Sequence, residues 1–206
     1  MHDTPRPHDL LWGMTPAQLP ADAPDWARQV LAAGQPVVVR RSLVMADLIA
    51  VGIRGASRDQ RFATVMRLSR ILRCVTPEQL IAQPSTDALP AFRALAVLKP
   101  VFDELRRPWG VTGSVGFQLA TGIAAVHAES DLDLLLRAPS ELSRHEAREL
   151  QQLLDDSPCR VDLQLETPAG AVALREWASG SARVLLKCAT GARLVDNPWD
   201  LAELAA

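Results

Sequence analysis

Residues Trp109 to Leu136 read WGVTGSVGFQLATGIAAVHAESDLDLLL, and two points within them carry the fold: Gly113-Ser114 and Asp131-Leu132-Asp133. On an extended segment alternate side chains share a face, so Asp131 and Asp133 point the same way and can grip one divalent cation. Gly113 and Ser114 offer a polyphosphate a backbone that approaches closely, a hydroxyl, and amide N–H groups at the start of a following helix. A lone Asp-x-Asp is common and so is a lone Gly-Ser. The two in this order, each in a fitting setting, make a stronger signal than either.

C-terminal to this stretch, Ser143 and Glu146 form a capping box that starts a helix running to about Asp155. The next stretch, CRVDLQLE, alternates Val161, Leu163 and Leu165 with Asp162, Gln164 and Glu166, which reads as a strand with one apolar and one polar face. Paired beside the Asp131-Asp133 strand, it would bring Asp162 onto the surface of the clamp. Residues 171–178 read as a short helix and 184–195 as a hairpin turning at Thr190-Gly191. Lys187 in that hairpin either neutralises phosphate or holds its head in water.

In the first half, residues 25–33 read as a helix stopped by Gly34, and PVVVRR (36–41) as a strand. Phe62, Val65, Leu68, Leu72 and Val75 recur at helical spacing, which predicts a helix over 59–75. The preceding GIRGASRDQR (52–61) would then sit at a helix N-terminus, where Arg54, Arg58 and Arg61 either hold an anionic ligand or face solvent. Near the start, His8 and Asp9 either touch substrate or tie the chain end to the body. Residues 76–90 read as a linker, and 92–106 as a helix that Pro100 interrupts or kinks.

The chain has 206 residues, 48% hydrophobic and 22% charged, enough for one domain or two small ones. We expect an α/β (α+β) protein: an N-terminal substrate-binding domain over 1–80 and a mixed-sheet catalytic domain over 86–206, with the site in the cleft between them. Cys74, Cys159 and Cys188 show no C-x-x-C spacing and suggest a reducing compartment. The four histidines form no H-E-x-x-H, and no G-x-x-x-x-G-K-[ST] occurs. A net charge of −2 argues against unspecific nucleic-acid binding. No apolar run suits a membrane span and no secretory signal is legible, so a cytoplasmic location is expected.

Gly-Ser followed by SDLDL resembles the polymerase-beta-type nucleotidyltransferase superfamily. The fuller wording WGVTGSVGFQLATG…SDLDLLLRAP, with VDLQLETPAGAVALREWA and RVLLKCATGARLV downstream, resembles the phosphoribosyl-dephospho-CoA transferase of malonate decarboxylase. RPHDLLW (6–12) is similar to that family's opening. The resemblance implies Mg2+ held by Asp131, Asp133 and Asp162, with Asp162 also taking the nucleophile's proton and Gly113 and Ser114 holding the departing diphosphate. It further implies triphosphoribosyl-dephospho-CoA as donor and a serine of the malonate decarboxylase acyl-carrier protein as acceptor. Arg54, Arg58, Arg61 and Lys187 become candidates for the donor's phosphates. Two other functions remain open: an enzyme placing AMP on a small molecule, RNA or protein, and a catalytically silent binding module. The interval from Ser114 to Asp131 is longer than in many minimal nucleotidyltransferases, so the turn between them must carry extra residues.

Overall fold

In the computed structural model, which describes residues 4–57, 59–82 and 88–200, the chain divides into two compact units between Thr76 and Pro77. The first contains β1 (Leu10–Trp12), α1 (Asp25–Ala32), β2 (Val37–Val39), β3 (Leu48–Arg54), β4 (Arg61–Arg67) and β5 (Arg73–Val75). Its five strands form one antiparallel sheet in the order β4-β3-β2-β1-β5. Leu11, Val37, Val39, Val51, Ile53 and Met66 cluster with Ala27 and Leu31 of α1 to make its core.

The helix expected over 59–75 is absent. Those residues are β4, a 3-10 turn at Leu68–Arg70, and β5. The apolar positions that imitate a helical stripe do not share a buried face: Val65 is 41% and Leu72 84% exposed, whereas Met66, off that stripe, is buried. Burial in β4 alternates, and full pairing with β3 from Leu48↔Arg67 to Arg54↔Arg61 supplies its hydrogen bonds. Pairing with a distant strand has overridden a local period.

The second unit contains α2 (Pro77–Leu80), α3 (Pro90–Glu104), β6 (Trp109–Val111), α4 (Gly113–Thr121), β7 (Leu132–Arg137), α5 (Arg144–Asp155), β8 (Val161–Thr167), β9 (Gly170–Ala173), α6 (Leu174–Ala178), β10 (Val184–Cys188) and β11 (Gly191–Val195). Its sheet runs β11-β10-β9-β8-β7-β6, antiparallel except for the parallel pair β7–β8. That pair is parallel because α5 crosses over between its strands, as a parallel connection requires. The architecture is mixed α and β, as expected. The stretch expected as a linker includes α2, whose Pro77 and Leu80 are buried, and α3 runs on through Pro100. The short helix expected over 171–178 splits into β9 and α6. Thr167 Oγ1 accepts from the N–H groups of Ala169 and Gly170, which closes a tight turn and returns the chain along β8.

The two sheet faces differ. Trp109, Val111, Leu132, Leu134, Leu136, Val161, Leu163 and Leu165 enter one core with Phe92, Leu95 and Leu98 of α3, Leu150 and Leu154 of α5, and Leu174 and Trp177 of α6. The opposite face carries the polar residues of β8, and α4 packs on β7 beside them. Among the described residues no helix is long and apolar enough to cross a membrane.

Candidate active site

Asp131 lies immediately before β7 and Asp133 within it, both half-buried on a strand whose Leu132, Leu134, Leu135 and Leu136 are buried. Parallel pairing sets Asp133 directly opposite Asp162 of β8. Neighbouring strands stand about 4.8 Å apart, so the two carboxylates rise side by side from one face. Asp162 is half-buried and follows the strand's strict alternation.

The Gly113-Ser114 turn adjoins the same strand. The N–H of Thr112 donates to the Asp133 carbonyl at 2.9 Å, and α4 begins at the next residue. Gly113 has φ +62°, and a Cβ there would stand 1.9 Å from Asp133 Oδ2. Only glycine can take this place, for its dihedral and for its contact. The Thr112 side chain makes no capping hydrogen bond, and the first-turn amides of Gly113, Ser114 and Val115 have no acceptor within the helix. They offer an anion the positive end of the helix dipole. The helix stops at Gly122 in the left-handed conformation, with φ +73°.

The extra residues between α4 and β7 are pinned by one side chain. Gln118 Oε1 accepts from Ala125 N–H at 2.9 Å and Val126 N–H at 3.0 Å. Ser130 Oγ then accepts from His127 N–H at 3.0 Å, turning the chain into Asp131 and β7.

A residue that sequence reasoning passed over stands in this cluster. Arg160, two positions before Asp162 and on the same side of the chain, donates from Nε and Nη2 to Asp162 Oδ1 at 3.2 and 3.0 Å. Hydrogen bonding and charge from Asp162, with the charges of Asp131 and Asp133, hold its guanidinium above the ordinary arginine range. All three carboxylates therefore act on one cation. Among the described residues no group of three or more His, Cys, Asp or Glu side chains is gathered closely enough to hold a metal ion as it stands. Asp162 is turned to Arg160 instead. The donor set itself, three carboxylates with no nitrogen or sulfur, is of the kind that hard divalent cations take.

Other candidates lie elsewhere. Lys187 of β10 faces Ala171, which faces Glu166, which faces Arg137, one register row across the acidic face. That row is roughly 13 Å along the strands from the aspartates, and β10 is two strands, roughly 10 Å, across from β8. The exposed Lys187 is thus not brought to the carboxylates. In the first unit Arg54 and Arg61 close the β3–β4 hairpin opposite each other. Arg61 donates to the Ser57 and Gln60 carbonyls, and Gln60 Oε1 organises the turn by accepting from Ala56 N–H. No helix starts there, so the dipole expected to assist these arginines is absent. Arg58 lies outside the described residues. Asp9 is buried and accepts from Arg6 N–H in the tight turn where His8 adopts φ +77°.

Two family models cover the chain almost end to end. Residues 6–77 match the phosphoribosyl-dephospho-CoA transferase MdcG N-terminal domain, and residues 79–198 match the corresponding C-terminal domain. The chain belongs to the phosphoribosyl-dephospho-CoA transferase family. A relative of that name from Pseudomonas putida (strain W619) is 60% identical over 202 residues, spanning 98% of each chain. One from Azotobacter vinelandii is 56% identical over 97% of this chain and 98% of its own. The protein from Pseudomonas aeruginosa PAO1 is 50% identical over 98% and 97%. No solved structure matches. Each transferase family model ends or begins within a few residues of the division between the two units.

Proposed function

We propose that this chain transfers the phosphoribosyl-dephospho-CoA group from 2'-(5-triphosphoribosyl)-3'-dephospho-CoA to a serine of an acyl-carrier protein, that of malonate decarboxylase, in the cytoplasm. The observation that carries this reading is the register pair Asp133↔Asp162 with Gly113 seated against Asp133. Paired carboxylates and a helix N-terminus thus stand together in a chain whose relatives are named phosphoribosyl-dephospho-CoA transferase.

The chemistry is a substitution at the donor's α-phosphorus. The serine oxygen forms a bond to that phosphorus, the bond to the bridging oxygen of the diphosphate breaks, and the serine proton passes to Asp162. The first-turn amides of α4 and the Ser114 hydroxyl bind the departing diphosphate. Gly113 lets the backbone come close enough for this, and Asp133 fixes the distance between leaving group and clamp. Asp131 and Asp133 would hold Mg2+, with Asp162 completing the set once it leaves Arg160. Bound there, Mg2+ would neutralise phosphate charge and align the reacting oxygens.

Mass spectrometry of the apo carrier after incubation with enzyme, Mg2+ and donor tests the proposal. The expected result is a serine adduct with the mass of the phosphoribosyl-dephospho-CoA group and release of one diphosphate. An AMP adduct from ATP, with none from the triphosphoribosyl donor, would move the chain to the adenylylating alternative. Asp133→Asn should lower the transfer rate on the order of a thousandfold, since it weakens charge stabilisation at the reacting centre. Unchanged transfer by this variant would remove the clamp from the chemistry.

A further inference from the structure

We propose that Arg160 is the resident counter-cation of the carboxylate cluster: it occupies Asp162 until a divalent cation enters, and then turns its guanidinium to the phosphates of the donor. This inference rests on the metal reading above and adds a residue and an order of events to it.

Three observations carry it. The guanidinium bonds Asp162 through two nitrogens, at 3.2 and 3.0 Å, and reaches both carboxylate oxygens, with Nη2 3.0 Å from Oδ2 as well. Among the described residues it bonds no other side chain. The root of the side chain is fixed, because the Arg160 carbonyl accepts from Leu132 N–H at 2.9 Å and so stands between the clamp strand and β8. Its head lies open to solvent, the side chain being 60% exposed, and Asp162 is what holds it. A cation on a rigid root with a solvent-exposed head can leave one anion for another without disturbing the sheet.

Charge and geometry give the order. Three carboxylates on one face repel one another, and a positive charge among them relieves that repulsion. An exposed ion pair is weak, so a doubly charged ion bound by the same oxygens displaces it. The displaced guanidinium keeps the fork of donors that suits a phosphate as well as a carboxylate. A triphosphate arriving at the N-terminus of α4 and the clamp lies beside it. Asp162 is released by the same movement, which frees it to accept the serine proton.

The test is Mn2+ binding to the full chain without donor, followed by the paramagnetic signal of free Mn2+. Removing one positive charge from beside two or three carboxylates should tighten binding about tenfold in Arg160→Ala, an effect that shrinks as salt is raised. Arg160→Gln should behave likewise, and Arg160→Lys should stay near the parent protein. In transfer assays at saturating metal, Arg160→Ala should raise the KM for donor severalfold, with Arg160→Lys between. Equal or weaker Mn2+ binding in both neutral variants overturns the role of Arg160 and leaves the clamp standing. If neither the parent nor the neutral variants bind Mn2+, the metal reading falls and this inference with it.

Discussion

At Gly113 the backbone and the chemistry meet in one residue. A Cβ would strike Asp133 Oδ2, and φ is +62°, so Gly113→Ala is strained twice. Left-handed strain alone costs about 1 kcal/mol or more, and the clash displaces the carboxylate. We expect Gly113→Ala to lose transfer activity by more than its fall in melting temperature explains, measured by assaying well below that temperature. The cysteines give a second expectation. Burial and the neighbouring Asp9 push the Cys74 thiol up to about 11. Burial also raises Cys159, while hydrogen bonding to Thr190 lowers Cys188 at the exposed tip of the β10–β11 hairpin. Only the thiolate reacts, so iodoacetamide at pH 8 should modify Cys188 first and Cys74 last, read by peptide mass.

Among the elements, α5 is the one whose start can be read from four residues. Ser143 Oγ accepts from Glu146 N–H at 3.2 Å and the Glu146 carboxylate accepts from Ser143 N–H at 2.8 Å. Those bonds with Ser143 hold the Glu146 carboxyl below its ordinary value. A group with a depressed folded-state pKa contributes stability above its unfolded value and loses it as pH falls through the folded one. The box therefore weakens as pH falls below 4.5, the unfolded value. In thermal melts Glu146→Gln should flatten that part of the acid dependence, and Ser143→Ala should cost about 1 kcal/mol at neutral pH. The β8–β9 hairpin is a contrasting case. Thr167-Pro168-Ala169-Gly170 holds a Thr-centred turn, and the stretch after it, 171–178, reads as a short helix in the sequence. Pairing of Leu165 with Val172 and Gln164 with Ala173 claims the first residues for the sheet, and α6 starts only at Leu174.

For the whole molecule, the two units have separate cores, one around Ile53 and Met66 and one around Leu134 and Leu165. A fragment spanning 77–206 is large enough to bury a core of its own. We expect it to unfold cooperatively by circular dichroism and to match the full chain in an Mn2+ titration; a gradual melt would show that it depends on the first unit. The second unit was the more legible of the two. Asp131-x-Asp133, the Gly113-Ser114 start of α4, and the alternation of β8 are local patterns that map onto local structure. Helix and strand in the first unit could not be told apart over 59–75, because β4, a 3-10 turn and β5 together imitate a 3.6-residue period. Arg160 had a readable signal, a basic residue two positions from an acidic one on a strand face, but nothing in the sequence says whether such a pair points at a partner or into water.

The sequence by itself determined which residue types the site has, in what order, and which of them share a strand face, since alternation and capping depend only on near neighbours. Tertiary structure alone decided that Asp162 stands opposite Asp133 and not one residue to either side, that Gly113 presses on the same carboxylate, and that a guanidinium sits among the acids. The reason is physical: a strand's register follows from hydrogen bonds and burial across strands far apart in the chain, and a shift of one residue would have sent Asp162 into the apolar core.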